Sequence, residues 1–465
     1  MINLKQISLS WLIIGLFALA ISGIFSIVLA VAWHPSVKSV ELFATLFHRS
    51  LIAHVNLSIT IWFLCFAFTL MSYQTSQRKI IMPYVDFYAK ILMITAISLM
   101  TAASLAPDAI AVLCNYIPLL QHPLFYIALA LVAASIMLKL LEFFCCYATI
   151  KPRDIMSHSN IIIAIILAIA MVAFGVSGWQ LQHELIFAED VLIYGEMLFW
   201  GGGHIIQYAW VQLMLIAWVL MLQHCLQDFS ATTGMRIIFY SNLLAVLTSP
   251  IPYILHPVTS GDFRELFTWL MAWLSGIAPV LFAIYYTILR IKSGQKLMPR
   301  YDCMISASLW WSVLLFTLGG AFAVMINGIN VKIPAHYHGS LLGITVALMG
   351  LTYLLFQTHY NDYGSLLLPS GKSKKNKLGL NKLGLNKIGF WQPALLGVGQ
   401  VMHIGGLFWS GGYGVQRKSP NQGGEAMELA DLALRIQSSG GGIAIIGGLL
   451  FLVVCYKIWR NRVKN

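Results

Sequence analysis

Long uncharged runs alternate with short basic segments along almost the whole chain. Stretches such as 11–33, 161–179 and 443–455 reach or approach the roughly 20 residues that a helix needs to cross a bilayer core. The pattern places spans near residues 8–32, 48–72, 83–105, 122–149, 158–179, 191–224, 236–255, 265–289, 303–328, 336–358, 390–412 and 440–458. A lipid-embedded backbone must satisfy its own hydrogen bonds, so these runs predict an all-α integral membrane protein of about twelve transmembrane helices. No segment between them is long enough for a soluble domain, and residues 1–465 read as one membrane domain. The first run follows Lys5 in the manner of a signal peptide, but it is longer than a secretory apolar core and counts as a span.

Composition agrees: of 465 residues, 59% are hydrophobic and 10% charged. The formal charge of +12 would suit nucleic acid if the cations were gathered on one surface, but they sit in loops. Basic clusters lie at Arg78 and Lys79, at Lys151 and Arg153, at Arg236, and at 290–300, 372–387 and 457–464. Each follows a second span, so nearly all fall on one side. The positive-inside rule makes that side cytoplasmic and puts both termini there, with Lys38, Lys332, Arg417, Lys418 and Arg435 left outside. Membrane lipid, not nucleic acid, is the expected surroundings. This charge pattern, without a transit segment, suits a bacterial inner membrane. The segment 371–388 carries the repeat KLGLNKLGLNK and reads as a low-complexity basic cytoplasmic loop, either a flexible linker or a contact for anionic lipid.

The seven cysteines show neither a haem-attachment motif nor paired metal-ligand spacing, and read as packing residues. The thirteen histidines are more informative. A single buried histidine is more often a hydrogen-bonded packing residue than a ligand, yet His48, His54, His204, His256, His336, His338 and His403 all fall in or near the outer half of a span. Several imidazoles at one depth suit haem iron and copper. In His336-Tyr337-His338, two imidazoles point about 200° apart on one helix and serve two different partners, unless both merely face the water boundary. His204 and Tyr208 share a face one turn apart, after Gly201-Gly202-Gly203. Those glycines admit a large planar group or a neighbouring helix. A phenol beside a metal-bound imidazole is suited to donating a proton and an electron. His256 ends the seventh span before Pro257 and is a candidate second ligand to the metal on His204; His54 is a further candidate in the second span.

The order of these histidines resembles the haem-copper oxidase superfamily, catalytic subunit I, along nearly the whole chain. The resemblance implies two haems and an active-site copper. His54 and His338 would be the axial ligands of a low-spin haem, His336 would hold a high-spin haem, and His204 and His256 would hold the copper with Tyr208 beside it. Arg417 and Lys418 resemble the outer basic pair that binds haem propionates, or else form a solvated loop, and His403 lies near the same edge. The chain also departs from the pattern. His256 is followed by Pro257 where the family usually has a second histidine, so a copper ligand is missing. Ile206 stands where mitochondrial-type oxidases have a glutamate, and the eighth span has no buried lysine. A proton path would instead use Tyr285, Tyr286 and Thr287, or Lys139 and Glu142, which read equally as packing residues and a charge pair.

The function implied is a terminal respiratory oxidase core that reduces dioxygen. Electrons would arrive from cytochrome c or another donor through a separate subunit, copper-bearing or cytochrome-like. Nitric oxide reductase, a relative that often uses iron in place of copper, is the alternative. Tyr208 favours oxygen, because well-known members of the reductase group carry glutamate at that position, while the missing helix-seven histidine pulls towards the reductase. A third reading is a non-catalytic haem-binding membrane protein with a degenerate active site.

Overall fold

The computed structural model describes residues 7–32, 41–76, 83–147, 154–182, 190–226, 229, 233–293, 303–360, 385–415 and 428–462. Helices dominate throughout: α1 Ser10–Ala32, α2 Glu41–Val55, α3 Trp62–Ser76, α4 Pro83–Leu105, α5 Pro123–Tyr147, α6 Ile155–Leu181, α7 Val191–Cys225, α8 Thr233–Val246, α9 Pro250–Leu255, α10 Gly261–Leu274, α11 Ile277–Ser293, α12 Cys303–Val324, α13 Lys332–Tyr360, α14 Leu385–Gly411 and α15 Glu428–Arg462. Among the described residues, eleven helices or helix pairs of 21 to 35 residues are long and apolar enough to cross a membrane. The twelfth expected span is α14, 27 residues long. Gln392, Gln400 and His403 make it less apolar than the others. The basic segment 371–388 lies outside the described residues up to its last four.

The helices form two compact units, Met1–Ala32 with Ser39–Ile216 and Ala231–Gly294, and Trp33–Lys38 with Ala217–Ser230 and Gln295–Asn465. In the first, α4 packs along α5 and α1 packs on α2 and α3. In the second, α12 packs on α13 and α14 on α15. Cys65, Cys114, Cys146, Cys225 and Cys455 are buried, as expected of packing residues.

Sequence reading missed one element of the first unit. Between α4 and α5, strands β1 Ile110–Val112 and β2 Leu119–Gln121 pair antiparallel, with Ala111 opposite Leu120. The short hairpin closes the turn between two antiparallel helices and carries residues 113–118 at its tip.

At the other end of the same helix pair lies a buried ionic cluster. Lys139 is fully buried and donates to Glu142 at 2.6 Å and Asp86 at 2.9 Å, while the Trp11 indole donates to Asp86 at 2.8 Å and Lys90 completes the group. The i,i+3 pair visible in the sequence is thus one half of an arrangement that ties α1, α4 and α5 together. A buried charge is tolerable only while it is paired. Lys139→Met leaves two carboxylates facing each other and is expected to cost about 3 kcal/mol, whereas Lys90→Met, at the partly solvated edge, is expected to cost about 1 kcal/mol or less. Thermal unfolding in detergent followed by circular dichroism measures both; equal losses would contradict the assignment.

Candidate functional site

In the first unit the chain after His54 leaves α-helical geometry, and Asn56–Ile61 form a π-helical turn. Such turns widen the helix by a residue and re-aim the side chains beyond them. The His54 carbonyl accepts the hydroxyls of Ser58 at 2.6 Å and Ser22 at 3.1 Å. The imidazole is fixed as well, with Nδ1 2.9 Å from the Ser22 hydroxyl oxygen and 3.2 Å from the Ser22 carbonyl. With the proton on Nδ1, Nε2 is the nitrogen that can meet a metal.

The second unit repeats this device. On α13, His336 Nδ1 donates to the Gly319 carbonyl of α12 at 2.8 Å. Gly319 makes this possible, because a Cβ there would collide with the backbone N of Ser340. Two helices thus approach closely enough for a carbonyl of one to hold an imidazole of the other. His338 is half-buried, with its ring centroid 5.0 Å from that of His403 on α14, and His403 Nδ1 donates to the Gln437 carbonyl at 3.0 Å.

His204 is held differently. Its Nδ1 donates to the Trp200 carbonyl at 2.7 Å, and its Nε2 accepts from the Tyr116 hydroxyl at 2.8 Å. Tyr116 comes from the hairpin tip and was not among the residues expected here. Asn115 is gripped by Glu196 of α7, through its backbone N–H at 2.8 Å and its side-chain amide at 3.0 Å, and the Asn56 amide donates to the Pro118 carbonyl at 2.9 Å. The glycine run does admit planar groups, and they are the protein's own: Cβ atoms at Gly201, Gly202 and Gly203 would strike the rings of Tyr253, Phe174 and Tyr116.

His204 and Tyr208 line one small, part-open cavity with Ile205, Ala245, Thr248, Ser249, Phe267, Leu270 and Met271. Thr248 and Ser249 reach it because Pro250 opens α9 and interrupts the helical run after Val246. His256 caps the C-terminal end of α9, half-buried, and is not one of the cavity's lining residues. Arg417 and Lys418 lie outside the described residues.

Comparison with known proteins fits this arrangement. The profile of the family described as cytochrome C and quinol oxidase polypeptide I matches residues 6–443. The chain belongs to this family. An uncharacterized protein of Rickettsia prowazekii is 31% identical over an alignment of 495 residues, covering 96% of this chain and 95% of that protein. One from Aquifex aeolicus is 24% identical over 360 residues, covering 75% of this chain and 84% of that protein. This membership makes the chain an oxidoreductase-type membrane subunit of the haem-copper oxidase superfamily, with the helical membrane fold the resemblance implied.

The donor set fits haem better than it fits the family's copper. His54 and His336 each have Nδ1 anchored and Nε2 available, as an axial ligand requires. For copper, no group of three His, Cys, Asp or Glu side chains among the described residues is arranged to hold a metal. Both nitrogens of His204 are already engaged by the chain.

The packing around Tyr116 is open to test by stability. Gly203→Ala drives a methyl into the tyrosine ring and is expected to destabilise the protein by about 1–3 kcal/mol. Gly175→Ala, in α6 with open space around it, is expected to be neutral or slightly stabilising. Thermal midpoints in detergent compare the two, and a Gly203 variant as stable as the Gly175 one would contradict the packing described.

Proposed function

We propose that the chain is the core subunit of a terminal respiratory oxidase that reduces dioxygen to water. The observation that carries this reading is Tyr208, one turn after His204 and lining the same cavity, where a proton-donating phenol stands instead of a carboxylate. When bound, haem supplies one-electron chemistry and an iron position open to a diatomic ligand.

The chain's own groups supply the rest. His54 and His336 would hold iron through Nε2, because serine and glycine carbonyls hold their Nδ1 protons. His338 is the further candidate for the low-spin haem. The rings of Phe267 and Trp200, 5.5 and 5.2 Å from His204, limit water at the imidazole. The Tyr208 hydroxyl would be the proton donor to oxygen in the cavity. Of the residues lining this cavity, His204 is the one imidazole, and His256 stands outside the lining. A separate subunit delivers electrons from cytochrome c or another donor, and the complex sits in a bacterial inner membrane with both termini in the cytoplasm.

Oxygen and nitric oxide uptake by the purified, haem-loaded complex tests the reading. Rapid oxygen uptake is expected, lowered at least about a hundredfold by Tyr208→Phe. Preferential consumption of nitric oxide would make the chain a reductase of the same superfamily. Haem without either activity would make it a binding protein with a degenerate site.

A further inference from the structure

The first unit buries two basic side chains, Lys139 and Arg49, and treats them differently. Lys139 on α5 meets two carboxylates. Arg49, on α2 five residues before His54, is only 5% exposed and forms no ion pair among the described residues. Its Nη1 donates to the Ala106 carbonyl at the C-terminal end of α4, and its Nε is buried with no partner.

The contact with Ala106 does not balance the charge. A helix end carries about half a negative charge at most, and one carbonyl takes one of a guanidinium's five N–H donors. A buried charge without a counter-charge is costly, as the pairing of Lys139 shows by contrast. Nε shares an edge of the planar guanidinium with Nη2, and this is an edge on which carboxylates and phosphates accept two parallel hydrogen bonds. Ala106 holds the group by the remaining nitrogen and so orients that edge.

We infer that Arg49 is a binding site for an oxyanion, a carboxylate or phosphate group taken on its Nε–Nη2 edge. Two sources lie within reach. Arg49 stands in the first turn of the span Leu46–Ser76, where a phospholipid headgroup meets the hydrocarbon. It is also about 7.5 Å along the helix axis from His54, so the carboxylates of a haem on that imidazole are the other source. The site is separate from the cavity beside His204 and does not depend on the oxidase reading.

The test compares the full purified complex with two variants: Arg49→Met, which replaces the charge by an apolar chain, and Arg49→Lys, which keeps the charge without the fork. Phosphorus per polypeptide is measured after repeated delipidation in detergent. The haem-depleted complex is then titrated with iron protoporphyrin IX and with its dimethyl ester, whose esterified carboxylates carry no charge. If a lipid supplies the anion, the wild type retains one phosphorus per chain more than Arg49→Met. If a haem supplies it, the preference of the wild type for the free acid over the ester falls about tenfold in Arg49→Met, the value of a charge-assisted hydrogen bond. Arg49→Lys is expected to fall between the two, and it carries the comparison should Arg49→Met fail to fold. Equal phosphorus and equal discrimination against the ester in all three proteins would overturn the proposal and leave Arg49 as a cap on α4. A complex that takes up no porphyrin would sink the haem reading alone, and the phosphorus content then decides this one.

Discussion

Hydrocarbon offers no water to an imidazole, so a histidine set in a membrane span is best placed where the protein itself supplies its hydrogen-bond partner. His54, His336 and His403 find it in the same way, on a main-chain carbonyl of a neighbouring helix. That single requirement organises much around it. It sets the tautomer and points Nε2 away from the anchoring helix, and it demands that the two helices approach closely, which at His336 depends on Gly319 having no side chain. Where each imidazole's Nε2 points therefore depends on how the helices pack as much as on which residues they carry.

His204 meets the same requirement with one partner too many. A carbonyl takes one nitrogen and a tyrosine the other, and the tyrosine arrives from a hairpin outside the helical framework. The site thus combines a rigid half, the α7 helix with Trp200, His204 and Tyr208, and a delivered half, the hairpin tip held by Glu196 and Asn56. The surroundings of His204 are thus built by the connection between α4 and α5 as well as by the helices themselves.

The helices were legible in the sequence because a membrane span needs only length and apolarity, both of which are local. The shared face of His204 and Tyr208 was legible for the same reason, since helical geometry fixes neighbours one turn apart. The spacing of Lys139 and Glu142 likewise announced a pair. Its completion by Asp86 and Trp11 joins positions dozens of residues apart, and no local pattern carries that. The hairpin was harder still. Its strands are three residues each, too short for an alternating pattern to stand out, and Tyr116 takes a backbone conformation that its residue type disfavours. His256-Pro257 was visible as a departure in the sequence, whereas the lining of the cavity beside His204 by Thr248 and Ser249, and not by His256, comes from the break at Pro250.

If His54 and His336 each hold a haem, as proposed, one of the two leaves its iron open to a diatomic ligand. The most direct measurement is the haem content per polypeptide of the purified subunit, combined with the carbon monoxide difference spectrum of its reduced form. The account predicts two haems per chain, of which one binds carbon monoxide. A chain with no haem, or one in which neither or both of two haems bind carbon monoxide, would contradict it.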